Sequence, residues 1–387
     1  AIPSHMITIV FACMMLGVKK SENTSSMMHD TVSGLGWLWS CSFMQVGVGC
    51  LLCAILFTPA WGVNELFGSL FEIGFAGGHG TAGGMASVFT DSFNWADGAD
   101  LGKTTATIGL LVGIFGGMAI INVAVRKKWT KVLTEPASGN AAKEVYGEKD
   151  AEHEASAYMT VSQDVVEPFA FHLGIIGMAV LIGRLIVWGF GQIFGYSGLP
   201  LFPFAMIGGW VINAIAQRVP LLRDLFDRKT FQRIQGMALE ILVTCAMASI
   251  SIPVVLAYWA PLLIGTVVII ALMVLWTLWL SPRIFNDCWF EQAIIRYGAF
   301  CGVAAVGYML LRCADPKMET DAGTIYALDG PFMSPFIGGG LVTSMWPFLI
   351  TSMGALKFGL VACVISLAIL LVLRLFFWNK NFKMQQR

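Results

Sequence analysis

The stretch Gly77-Gly78-His79-Gly80-Thr81-Ala82-Gly83-Gly84 places five glycines inside a long apolar run. Each glycine in a helix interior costs about 1 kcal/mol relative to alanine, so an uninterrupted helix is a poor prediction here. With 57% apolar and 12% charged residues over 387 positions, the chain around it reads as a bundle of membrane helices, since a span needs about 20 apolar residues. Irregular backbone at membrane depth persists only where protein buries it or where it lines a cavity. Broken segments of that kind are where secondary transporters hold ions and anions. The expected fold class is therefore an all-α integral membrane protein, an inverted-repeat secondary transporter with two re-entrant glycine-rich hairpins.

Apolar spans are predicted near 5–18, 34–57, 104–125, 168–190, 198–217, 236–257, 260–281, 331–353 and 358–378, with glycine-punctuated hairpins at 62–90 and 292–314. Placing the loop after the first span in the cytoplasm leaves only Lys103 and Lys357 on the outer side. Arg184, Arg312 and Arg374 fall within or beside spans, and the rest of the 24 basic residues, Arg126, Arg228 and Arg296 among them, face inward. That asymmetry satisfies the positive-inside rule.

Aligning the hairpins pairs 5–18 with 236–257, 34–57 with 260–281, and 104–125 with 331–353, in opposite orientations. Opposite orientation of matched units is the pattern of inverted-repeat carriers. The organisation predicted is an N-terminal repeat over 1–125, expected to lack its first two spans. A cytoplasmic linker follows over 126–165, then a C-terminal repeat over 166–355 and an extra span with a basic tail over 356–387. The nine cysteines lie mostly in apolar spans, and Cys50 and Cys53 read as small buried side chains rather than a redox pair.

The candidate substrate contacts are Gly77, Gly78, His79, Gly80, Gly302, Gly307 and Arg312, and the candidate ion ligands are Thr81, Glu240 and Asp315. Glycines let backbone amides approach an anion, and hydroxyl or carbonyl oxygens suit sodium. His79 either contacts substrate or fixes its loop. Arg312 offers a planar fork to a carboxylate, or pairs with Asp315 at i,i+3 spacing. Glu240 either ligates a cation or pairs with a base, while Gln45 and Asn122 serve as interhelical glue or as ligands. Metalloprotease, hydrolase and nucleotide-binding patterns are missing from the sequence, so the reading is a carrier rather than an enzyme.

Gly77-Gly78-His79-Gly80-Thr81, Met44-Gln45, Met237 to Val243, the Pro168 to Leu173 start of the second half, and Leu310-Leu311-Arg312 with Asp315-Pro316 resemble the bacterial glutamate:sodium symporter family. The resemblance implies two inverted repeats moving by alternating access, with Na+ as coupling ion and no organic cofactor. It implies import of glutamate or another small carboxylate across a bacterial inner membrane, by a multi-pass protein in contact with lipid, a homodimer, with no nucleic-acid partner. The alternatives are a proton-coupled carboxylate carrier titrating His79 or Glu240, a channel, and a non-transporting protein descended from such a carrier.

Overall fold

The computed structural model describes residues 2–17, 28–133, 167–194, 199–219, 222, 225–316, 319–333 and 335–378. The body of the expected linker and the basic tail lie outside the described residues. Every regular element described is helical: α1 Ile2–Met14, α2 Met28–Leu52, α3 Leu70–Phe75, α4 Gly78–Gly84, α5 Asp97–Arg126, α6 Pro168–Phe194 and α7 Leu201–Arg218. Then come α8 Arg228–Ala248, α9 Ile252–Ala257, α10 Trp259–Leu275, α11 Trp289–Ala314, α12 Ala322–Met333, α13 Leu341–Met353 and α14 Ala355–Phe376. Wider π-type turns carry α2 on to Trp61 and α10 on to Ile284.

Among the described residues, six helical stretches are long and apolar enough to cross a membrane. One of them, α11, folds back on itself. At Gly302 and Val303 the backbone leaves helical geometry (φ −146° and +65°), and a methyl on Gly298 would stand 2.7 Å from Gly307 Cα. In a straight helix those residues are roughly 13 Å apart at about 1.5 Å per residue. Each arm reaches only about 16–20 Å on that rise, short of a hydrocarbon core of about 30 Å.

The chain also turns back between α3 and α4. Leu70 O accepts from Thr105 Oγ1 and Gly74 abuts Thr105, while Phe75 lies against Gly109, so α3 ascends α5. His79 then bonds Thr107, and Ala82 returns to the level of Gly102. Gly78, at φ +66°, sits at the reversal, a conformation that costs glycine nothing and most other residues about 1–2 kcal/mol.

Two predicted spans are corrected. The span 236–257 is interrupted at Ser249–Ser251, where α8 ends and Pro253 opens α9. The span 331–353 is two helices, α12 and α13, separated by a break over 335–340 with Gly338 and Gly339 at φ +67° and +105°. The glycine cluster there serves a change of direction rather than close helix packing.

Packing follows small residues. Gly208 sits against Ala179 O and Gly209 against Ala12 O, which seats α7 between α6 and α1 around Ile175, Ile212 and Phe231. Arg228 Nη1 donates to Cys13 O (2.9 Å) and Leu16 O (2.8 Å), a cation satisfying the last carbonyls of α1. The backbone N–H of Asp227 donates to His172 Nε2 (3.1 Å), so His172 carries its proton on Nδ1 and donates it to Pro168 O (2.6 Å). The larger core surrounds α2, α3, α5, α10 and α11 and includes Trp37, Phe67, Phe71, Phe75 and Tyr297. Through Gly80 against Ile7 and Gly84 against Phe202, α4 joins the two groups. All nine cysteines are free, with Cys50 and Cys53 buried.

At the far end of α5, Lys131 Nζ pairs with Asp287 (2.7 Å) and its backbone N–H donates to Glu291 Oε1 (2.6 Å), tying the residues after α5 to the start of α11. The hydrogen bond from Lys131 holds the Asp287 carboxyl below its ordinary range. The Lys131–Asp287 pair is therefore present at neutral pH and is lost as acid protonates Asp287, below the ordinary carboxylate range.

Candidate functional site

The two reversals meet. A methyl on Gly78 would overlap Val303 Cγ1, and both tips lie midway along α5. There Gly302 faces Leu110 Cα (3.2 Å), Gly113 faces Cys301 Cβ (3.3 Å), and His79 reaches Thr107. From this level the arms of the first reversal run toward the start of α5. Those of the second run toward its end, with Leu310 against Gly117 and Tyr297 Oη beside Gly116. Glycines 109, 113 and 117 recur every fourth residue on one face of α5 and let both tips approach its backbone. Val303 holds a positive φ with ψ 168°, a region otherwise used by glycine. Such backbone costs about 1–3 kcal/mol and gathers at functional sites.

Polar groups collect around the tips. His79 is buried, and its Nε2 stands 2.9 Å from Thr107 Oγ1. The Thr107 hydroxyl donates to Lys103 O (3.0 Å), so it accepts from His79, which places the imidazole proton on Nε2. Thr81 Oγ1 donates to Gly77 O (2.9 Å), and Gly339 of the 335–340 break lies against that hydroxyl. Gln45 of α2 donates to Phe300 O (3.1 Å), the carbonyl end of the first arm of α11, and its own Oε1 is buried without a partner. Thr107→Val is expected to strand the His79 N–H at a cost of about 1–3 kcal/mol. A lower melting temperature with a loss of uptake shared by His79→Ala would show it, and wild-type melting and uptake would refute it.

Five of the candidates named from sequence, Gly77, Gly78, His79, Thr81 and Gly302, lie at this junction. Gly80 packs on Ile7, and Gly307 lies where the two arms of α11 cross, against Ala299 N (3.1 Å). The structure separates the remaining three from the tips. Arg312 is exposed, nine residues beyond Val303 and so roughly 13 Å along its arm at about 1.5 Å per residue. Asp315 is buried, but both its oxygens serve the following turn, accepting from Glu319 N (2.9 Å), Thr320 N (2.8 Å) and Thr320 Oγ1 (2.7 Å). Glu240 is exposed, because the buried face of α8 runs through Ile234, Ala238 and Leu242 and position 240 points away from it. Of the glue candidates, Asn122 is also exposed, on α5.

Among the buried charges that escaped the sequence reading of the site, two stand out. Glu72 of α3 is wholly buried, and Arg296, counted above among the inward-facing cations, is wholly buried beside Asp329. The signal for Glu72 was present: it is the one charge in Leu66 to Thr90, among phenylalanines and glycines.

Apolar helices of spanning length, packed around backbone breaks that meet at mid-helix with polar groups turned inward, define a multi-pass membrane protein built as a transporter. The chain belongs to the sodium/glutamate symporter family, whose model matches residues 5–306. The match ends just past the tip of α11, so Arg312, Asp315 and the 335–340 break lie beyond it. Neither the curated proteins nor the solved structures contain a match to the chain.

Proposed function

We propose that the two reversals are re-entrant hairpins of an inverted repeat, and that the protein imports glutamate or a related small carboxylate with sodium by alternating access. The observation that carries this reading is the meeting of Gly78 and Val303 midway along α5, with the arms of the two hairpins running to opposite ends of that helix. If α5 crosses the membrane once, one hairpin enters from each face. Arg126, Lys127 and Lys128 at its end mark that end as cytoplasmic, on the inner membrane of a bacterium. The substrate then lies between the tips, against the backbone of Gly77, Gly78 and Gly302, with His79 beside it. Arg312 and Glu240 have no part in this site. Helix ends interrupted at mid-membrane present amides and carbonyls to ions without a full complement of charged side chains. Coupling requires that sodium favour the substrate-loaded form over the empty one.

The test is uptake of radiolabelled glutamate into proteoliposomes with and without an inward sodium gradient. Saturable uptake that follows the sodium gradient is the expected result. Uptake indifferent to sodium but driven by a pH gradient would replace sodium with protons, and linear, unsaturable flux would mean a channel. No uptake by folded protein would overturn the glutamate assignment.

A further inference from the structure

The buried Glu72 carboxylate is held by three separate elements. Its Oε1 accepts from Ser42 Oγ of α2 (2.9 Å), from Thr343 Oγ1 of α13 (3.0 Å) and from the backbone N–H of Gly338 in the 335–340 break (3.2 Å). Its Oε2 accepts from Trp346 Nε1 (3.0 Å). All four donors are neutral. Among the described residues no lysine, arginine or histidine pairs with it. Neutral donors supply no countercharge, so in an apolar interior the ionised form of this carboxylate calls for a cation.

Oxygen atoms gather beside these N–H donors. The last turn of α3 brings the carbonyl of Ala76 to Gly338 (3.6 Å from where a Cβ would stand), and Thr81 Oγ1 lies against Gly339. The hydroxyls of Ser42 and Thr343 spend their protons on Glu72; Thr343 Oγ1 also accepts from the backbone N–H of Gly339 (3.2 Å), so it keeps one lone pair beside those of Ser42. One carboxylate, hydroxyls and carbonyls at a helix break are hard donors suited to a small cation.

We propose that Glu72 is the carboxylate that receives the coupling cation, in an oxygen-lined site shared by α3, α2 and the 335–340 break. The proposal rests on the sodium-symport reading above and deepens it. Three of the four donors to Glu72 come from residues 338–346, outside the span matched by the family, so family likeness does not supply it. A cation there draws the 335–340 break onto α3, five residues before the reversal at Gly77–Gly78. Loading of the ion thereby sets the position of the tip that faces Val303, which links the ion to the substrate site through one short helix.

The test titrates purified full-length protein in detergent with sodium chloride at constant ionic strength, choline replacing sodium, and reads the melting temperature. Wild type is expected to show a saturable rise. Ser42→Ala should move the half-saturating sodium concentration up by roughly tenfold, the loss of one ligand. Glu72→Gln, which keeps an acceptor but not the charge, should abolish the rise, and its residual glutamate exchange should no longer depend on sodium. A wild-type half-saturation in both variants overturns the role of Glu72. If Glu72→Gln fails to fold, Ser42→Ala and Thr343→Val decide the matter by the same shift, and unchanged half-saturation in both overturns it. Wild type with neither a sodium-dependent rise nor sodium-driven uptake overturns the symport reading itself, whereas sodium-driven uptake with an unaltered Glu72→Gln variant overturns only the inference drawn from it.

Discussion

Gly78→Ala is expected to reduce glutamate uptake by at least about tenfold while the protein still reaches the membrane. Two effects add at this position. The backbone φ of +66° costs an alanine about 1–2 kcal/mol, and the new methyl overlaps Val303 Cγ1, so one of the two tips must move. Cores respond to such overpacking with shifts costing typically about 1–3 kcal/mol. Here the yielding part is a tip contact rather than the packed arms, and the loss falls on the site. A second substitution separates the terms. Val303→Gly removes the overlapping methyl and relieves a backbone conformation that valine tolerates poorly. The double variant Gly78→Ala/Val303→Gly should therefore recover part of the uptake lost in Gly78→Ala, and Val303→Gly alone should melt no lower than wild type. Uptake losses that simply add in the double variant would show that the two tips do not act on each other.

The largest effect on stability is expected at Arg296 and Asp329. Both side chains are buried, and Arg296 Nη2 donates to Asp329 Oδ2 at 2.5 Å. The guanidinium also donates to Gln292 O (3.0 Å) and lies over the Phe285 ring, 4.7 Å from its centroid. Gln292 in turn donates to Asp30 Oδ2 (2.7 Å), so the pair joins α2, the first arm of α11 and α12. Gly34 of α2 leaves room for the guanidinium, which a methyl there would overlap. Removing one partner strands the other charge without water, and Asp329→Ala or Arg296→Ala should cost about 3–5 kcal/mol. Replacing both, as Arg296→Met with Asp329→Leu, removes both charges and should restore most of the melting temperature. Arg312→Ala, on an exposed side chain of the same helix, should stay within about 0.5 kcal/mol of wild type. Equal losses at Arg296 and Arg312, read from thermal melts in one detergent, would refute the distinction.

These two positions also mark where local reasoning stops. A count of basic residues by side treats Arg296 as one more inward-facing cation, because its partner Asp329 comes 33 residues later and in another helix. Arg312 carries the same guanidinium on the same element, yet only Arg296 has a carboxylate and an aromatic ring folded against it. Glu240 and Glu72 form a similar contrast. Each is an isolated acid in an apolar segment, and which way it faces depends on the helix against which it packs. Gly338 to Gly340 were legible as a cluster, but a cluster fits both a close helix crossing and a break. Only the hydrogen bond from Gly338 to Glu72 and the two positive φ values distinguish them.

The sequence by itself determined the apolar, helical character of the chain and the place where the backbone must give way. Those follow from transfer free energies and from glycine's freedom at positive φ, properties a residue carries wherever it sits. It also singled out Gly77 to Thr81, the segment in which the chain reverses at Gly78. The tertiary structure decided which charges are buried, where α11 folds back, and that Gly78 meets Val303. A buried charge is tolerated, and a strained turn held, only by atoms from distant parts of the chain: Asp329 for Arg296, the 335–346 segment for Glu72, and α5 for both tips.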